Sequence, residues 1–213
     1  DASLCACEES RALGPVPVDT HPSARSPFGL LECVGNIGEL TDAGEGERKF
    51  VLGGSFQDAC RYYGMLWGRF CRIAPDVNEP SIGFRVARDV NPLAAFESRF
   101  IRIDGEAMVG CDEALIPALE CRMPLDESVL HALQKNKLRV VKLVPIEIGV
   151  YPVTNEEYWQ FVRETGHSAP NHWQVRPYSW TKRPFLNKHA HHPVTYVKHS
   201  DATAYCQWLS HKD

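Results

Sequence analysis

Pro152-Val153-Thr154-Asn155-Glu156-Glu157-Tyr158-Trp159-Gln160-Phe161 is the stretch on which the fold reading turns. Thr154 and Glu157 have the spacing of a capping box. The threonine oxygen accepts from the third helical N–H, and the glutamate reaches back to the cap's own N–H. Tyr158, Phe161 and Val162 then recur at i, i+3 and i+4 and form one apolar helix face. Gly166 suits the left-handed residue that closes such a helix. A second helix is expected further on, capped by Ser200 or Asp201, with Tyr205, Trp208 and Leu209 as its buried face. Between the helices, residues 167–193 read as a long loop whose Trp173, Tyr178, Trp180 and Phe185 require it to be packed down. His192-Pro193-Val194 reads as a short extended piece.

Working back from the capping box, Val140 to Val150 is an apolar strand interrupted at Pro145. Its imperfect alternation predicts burial on both faces. Residues 112–137 carry weak helical character around Glu127 to Lys137. Phe100 to Ile103 and Ala107 to Gly110, separated by Asp104-Gly105, predict a hairpin. Ile82 to Ala87 predicts one strand with alternating faces. Phe50-Val51-Leu52 predicts a short buried strand stopped by Gly53-Gly54-Ser55, and Thr41 to Arg48 a polar loop. Residues 1–27 hold Pro15, Pro17, Pro22 and Pro27, so an irregular lead-in is expected. Phe56 to Ile73 is aromatic and basic with no clean period. Its run from Tyr62 to Arg72 could take a peptide or a stacked ligand, but it fits better as filling for a core with few regular strands.

The 213 residues are 44% hydrophobic and 23% charged, which is ordinary for a globular chain. A formal charge of −4 gives no general pull toward nucleic acid or anionic membrane. No apolar run approaches the roughly 20 residues of a membrane span. There is no basic-then-apolar leader, and the start at Asp1 suggests a fragment or a processed chain. The compartment is therefore left open, with a cytoplasmic setting favoured. Eight cysteines (5, 7, 33, 60, 71, 111, 121 and 206) contain no C-x-x-C pair and no zinc spacing. They are expected chiefly as small buried hydrophobes. His189, His191, His192 and His199 crowd together, a pattern that fits solvated or carboxylate-paired histidines better than a native metal site.

The run Phe28 to Leu40 adds a candidate site. Gly29, Gly35 and Gly38 allow a tight turn, and Glu32 and Glu39 stand at either side of it. Carboxylates and inward carbonyls on such a loop suit a hard cation such as calcium, although the spacing is not that of an EF-hand. The plain alternative is a glycine turn with two solvated carboxylates.

Taken together, these pieces resemble the sulfatase-modifying factor, or formylglycine-generating enzyme, family. Its P-V-T-N-x-x-Y-x-x-F element matches residues 152–161, its H-P-V matches 192–194, and its A-Y-C-x-W matches 204–208. Its later elements match Gly29-Leu30 through Gly35-Asn36 to Glu39, then Gly53-Gly54-Ser55-Phe56, then Gly83-Phe84-Arg85. The resemblance covers most of the chain from about Pro15, but in inverted order. The later half of the pattern lies in 1–91, the earlier half in 99–213, and 92–98 form the joint. The family's R-L-P-T-E-A-E-W-E middle is missing. Such an order suggests the end of one domain followed by the beginning of the next in a longer chain, or a permuted copy whose halves dock on each other.

The resemblance implies an α+β, C-type-lectin-like fold with short strands, few helices and much irregular chain. It implies a structural calcium held by the Glu32 side chain, the Gly35 and Ile37 carbonyls and the Glu39 carboxylate, with Glu32 where an asparagine is usual. It further implies that activity needs two copper-binding cysteines, with four residues between them, after the G-G-S element. Here Cys60 is the one catalytic candidate. The partner position holds Met65, Cys71 lies too far along, and copper is not expected. The functional expectation is a family domain acting as a binding, regulatory or accessory module, with a peptide or protein ligand and other domains of a longer chain as partners. One alternative is an oxygen-dependent modifying oxidoreductase with catalytic residues outside this chain. Another is a lectin-like ligand-display module.

Overall fold

The computed structural model describes residues 5–45, 47–58, 71–74, 76–90, 99–109, 139–174 and 187–212. Over these residues the architecture is α+β, with two small sheets and two α-helices set in much irregular chain. The first sheet contains β1 (Gly38–Glu45), β2 (Arg48–Leu52), β3 (Cys71–Ile73) and β4 (Ile82–Phe84), in the order β3-β2-β1-β4. Its pairs are antiparallel except β1 with β4, which is parallel. The second sheet contains β5 (Ala87–Asp89), β6 (Phe100–Val109) and β7 (Arg139–Gly149), antiparallel with β7 in the centre.

The capping box forms as the sequence requires. The Glu157 amide donates to Thr154 Oγ1 at 3.4 Å, while the Thr154 amide donates to Glu157 Oε2 at 2.8 Å and its hydroxyl to the same oxygen at 2.7 Å. Helix α1 (Asn155–Thr165) follows, and Gly166 closes it at φ +73° with its N–H on the Val162 carbonyl. Tyr158, Trp159, Phe161 and Val162 are buried. Each aromatic or branched side chain taken fully out of water contributes roughly 1.5–3 kcal/mol. Helix α2 (His199–Ser210) buries Tyr205, with Trp208 and Leu209 half-buried against the same core. Its start differs from expectation. Lys198 holds the cap position, and Asp201 serves as the reciprocal third residue, its Oδ2 accepting from the Lys198 amide at 2.9 Å.

One core joins residues from both sides of the joint. Leu40, Val51, Ile82, Phe84 and Val86 pack with Val153, Tyr158, Phe161, Val194, Val197 and Tyr205. Phe84 lies edge-on to Tyr205 at 5.4 Å and to Tyr158 at 6.3 Å, while Tyr158 and Tyr205 stack at 5.8 Å. Backbone bonds run through the same seam. The Val153 amide donates to the Phe84 carbonyl at 3.0 Å and the Val194 amide to the Val153 carbonyl at 2.8 Å.

Several local expectations are corrected. Thr41 to Arg48 is not a loop, because β1 runs to Glu45 and pairs with β2. A register shift between Leu40 and Gly44 accommodates these polar residues, and the Thr41 hydroxyl bonds across to the Phe50 carbonyl at 3.1 Å. Ile82 to Ala87 is not one alternating strand. It breaks at Arg85-Val86, so that β4 is buried throughout in the first sheet and β5 enters the second. Asp104-Gly105 makes no hairpin, since β6 continues through it against β7. The irregularity between Ile103 and Gly105 faces Val144-Pro145, a bulge that tolerates the proline's missing donor. Nor is β7 covered on both faces along its length, since Val144 is 77% exposed. The lead-in is irregular as expected, apart from a 3-10 turn at Glu8–Ser10. It is pinned, however, by a disulfide at buried Cys7, where the cysteines were expected chiefly as small hydrophobes. The cross-link restricts the unfolded chain and adds to backbone bonds that tie the same segment, from the Glu8 amide to the Asp58 carbonyl and from the Val18 amide to the His191 carbonyl. The helical tendency of 127–137, Cys60 and most of the aromatic run from Tyr62 lie outside the described residues. Among those described, no helix is long and apolar enough to cross a membrane.

Candidate functional site

The glycine turn is built from left-handed backbone. Gly29 and Gly35 sit at φ +89° and +73°, Asn36 at +62° and Glu32 at +53°. The turn is tied on three sides. The Leu31 amide donates to the Val150 carbonyl, the Gly35 amide to Gly53 and the Asn36 amide to Ala6, all at 2.7–2.8 Å. The Asn36 side chain holds the lead-in by accepting from the Val16 amide at 2.9 Å and donating to its carbonyl at 3.1 Å. A β-carbon on Gly35 would stand 2.4 Å from the Ala6 carbonyl oxygen, so this close approach needs glycine.

Glu32 is a buried carboxylate on strained backbone, a combination that usually accompanies function. Its Oε1 accepts from His21 Nδ1 at 2.9 Å and from the His21 amide at 3.3 Å, while Oε2 is buried with no partner. Burial raises its pKa, against the opposing pull of His21 and, more weakly, Arg85. Beside it, burial pushes the Cys33 thiol up to about 11, so it is a protonated, unreactive group near neutral pH.

Glu39 is not solvated. Arg85 Nε donates to its two oxygens at 3.2 and 3.0 Å, and Nη2 donates to Oε1 at 2.6 Å. The remaining guanidinium donors reach the carbonyls of Leu31 at 2.7 Å, Gly149 at 3.0 Å and Val150 at 2.8 Å. Burial works against the Arg85 charge, yet Glu39 raises its pKa above the ordinary value. The G-F-R arginine is thus a knot joining the turn, β1 and the end of β7.

Glu32, Gly35 and Ile37 lie in the turn and Glu39 follows in β1, where a guanidinium that sequence did not signal binds the Glu39 carboxylate. An ionised carboxylate oxygen offers two lone pairs. By that count Glu32 Oε2 is fully open and Glu39 Oε2 keeps one lone pair, so the set can still offer oxygen to a hard cation. It does not supply a ring of free carboxylates, and among the described residues no group of three or more His, Cys, Asp or Glu side chains converges. His21 had no sequence signal at all, standing alone in a proline-rich lead-in. The crowded histidines do not converge on one point among the described residues. His192 Nδ1 donates to the Pro15 carbonyl at 2.7 Å, its ring stacks on His189 at 4.9 Å, and His199 Nε2 lies 3.4 Å from Asp42.

Residues 112–212 match the family model described as the sulfatase-modifying factor enzyme 1-like domain. The matched span encloses the 152–161, 192–194 and 204–208 elements, while the glycine turn lies outside it. No curated protein and no solved structure matches the chain.

Proposed function

We propose that the chain, whose residues 112–212 match the sulfatase-modifying factor model, is a binding, regulatory or accessory module of that family rather than a copper-dependent former of formylglycine. The observation that carries this reading is Met65, which stands at the fifth position after Cys60 where a second thiolate would be needed. Both thiolate and thioether sulfur suit monovalent copper, but a methionine has no S–H to lose and so cannot supply the second thiolate of a cysteine pair. Burial holds the thiols of Cys33 and Cys206 protonated near neutral pH, and Cys7 is disulfide-bonded. The shared core and the Arg85 knot support treating the segments on either side of 92–98 as halves of one permuted, C-type-lectin-like domain.

Co-expression with a peptide containing C-x-P-x-R, followed by mass spectrometry of its cysteine, tests the reading. The thiol is expected unchanged, and conversion to the aldehyde would overturn the proposal.

Calcium at Glu32, Gly35, Ile37 and Glu39 belongs to the same proposal, as a structural ion. It is supported by the open Glu32 Oε2 and the left-handed backbone that positions it. In chelator, the sign of the Glu32 effect follows from its raised pKa. The stabilising contribution is complete below the ordinary value of 4.5 and is lost as pH rises through the higher folded value. Calcium should oppose that loss. At a hundredfold excess over its Kd it contributes about 2.7 kcal/mol, or several degrees in melting temperature for a chain of this size. Glu32→Gln should abolish the calcium response and remove the Glu32 share of the pH slope. A midpoint indifferent to millimolar calcium at pH 7.5 would remove calcium from the proposal.

A further inference from the structure

Beside the first turn of α2 lies a pocket of about 460 Å³, within the range of roughly 300–1,000 Å³ usual for small-molecule sites. Three stretches wall it: Asp76 and Asn78, residues 168–171 after α1, and Tyr196, Lys198, Ser200 and Asp201 at the start of α2. None of these was singled out by sequence for chemistry, and the pocket shares no residue with the glycine turn.

Tyr158 supplies the independent sign of an occupant. It is fully buried, it lines the pocket, and its hydroxyl has no hydrogen-bond partner. Burial and then the Asp201 carboxylate raise its pKa strongly, so the hydroxyl stays protonated and is a donor. Asp201, which contributes to that raised pKa, is itself a wall residue of the pocket. A buried hydroxyl without an acceptor is costly, and phenylalanine would avoid the cost.

The walls decide the class of ligand. Among the described wall residues Asp76 and Asp201 outnumber Lys198, a formal excess of one negative charge that disfavours a free anion. Each Asp201 oxygen already takes one partner, Oδ1 from His167 Nε2 at 2.9 Å and Oδ2 from the Lys198 amide, so each keeps one lone pair for a hydroxyl donor. The other wall groups include hydroxyls of Ser168 and Ser200 and the amide of Asn78, which need partners able both to give and to accept hydrogen bonds. Neutral hydroxyls do both at every oxygen. Tyr196, at φ +57° with its amide on the Glu79 carbonyl and its ring packed on His172 at 4.8 Å, adds a fixed aromatic surface for the C–H face of a ring.

We propose that this pocket binds a neutral polyhydroxylated ligand of the saccharide class, with the Tyr158 hydroxyl donating to one of its oxygens. The proposal rests on the reading of the chain as a binding module and assigns that module its ligand chemistry.

The test titrates the whole chain with maltose, cellobiose, N-acetylglucosamine and myo-inositol, using calorimetry or NMR. Sodium sulfate and lysine serve as charged controls. At least one of the polyhydroxylated compounds should saturate a single site. Tyr158→Phe, which removes only the unpaired oxygen, should weaken binding at least about tenfold, the equivalent of about 1.4 kcal/mol, without lowering the melting temperature. Asn78→Ala on the rim should also weaken it, and carries the test alone if Tyr158→Phe does not fold. Binding of sulfate or lysine instead, no binding by any of the four compounds, or undiminished binding in the folded variants would overturn the proposal. The peptide-thiol experiment reads the parent proposal separately, since an unconverted thiol together with a dry saccharide titration would sink only this inference.

Discussion

An Arg85→Met chain is expected to unfold in urea with a stability about 3–5 kcal/mol below that of the parent, the cost of removing one partner of a buried ion pair. The Arg85 side chain is 4% exposed and that of Glu39 17%. Methionine fills much of the volume but leaves the Glu39 carboxylate and the carbonyls of Leu31, Gly149 and Val150 without these donors. Adding Glu39→Gln should recover part of the loss, because the double variant no longer holds a lone charge. The coupling in that cycle separates the ion pair from the carbonyl contacts. A single-variant loss below about 1 kcal/mol would place Arg85 with ordinary surface ion pairs and remove its role as the knot.

Gly83→Ala should be comparably damaging for a different reason. A β-carbon there would lie 2.3 Å from the Val194 carbonyl oxygen and 2.6 Å from Ile37 Cδ1. One of those atoms is backbone, so rotamer changes cannot relieve the overlap. The β4 edge must then move away from residues 153 and 194, whose hydrogen bonds close the seam. Overpacking typically costs 1–3 kcal/mol and more where backbone must shift, so a loss of about 3 kcal/mol is expected. Thermal unfolding measures it, and the Phe84–Tyr205 ring contact should loosen in the near-ultraviolet spectrum. An unchanged midpoint would mean that the two segments do not close on each other at this glycine.

These two sites also show what a linear reading can and cannot reach. The Thr154–Glu157 box and the Gly166 stop were legible because every group involved lies within one helix. Glu32 and Glu39 were visible as a pair of carboxylates, yet their partners were not. Arg85 is 46 residues from Glu39 and reaches carbonyls 64 and 65 residues away, and nothing in the G-F-R tripeptide states where its donors go. The same long-range demand broke the expected Ile82 to Ala87 strand, since the chain must leave one sheet and enter another where Arg85 turns inward. Asp104-Gly105 is a strong hairpin signal taken alone. It lost to β7, whose Pro145 lies across from it and makes a bulge the cheaper arrangement. The pocket at Tyr158 left no linear trace, because a tyrosine on an apolar helix face reads as core whether or not its hydroxyl is paired.

The bond from His192 to the Pro15 carbonyl spans 177 positions. Its consequence concerns time rather than stability. Contacts this distant add loop-closure entropy before they return any energy, and a topology rich in them folds slowly. On the ribosome, the first sheet would emerge with Phe84 still lacking Tyr158 and Tyr205, so its apolar face would wait uncovered until α2 had been made. Nascent chains of this protein should therefore depend on transient protection during synthesis, and the lead-in should be the last part to lock.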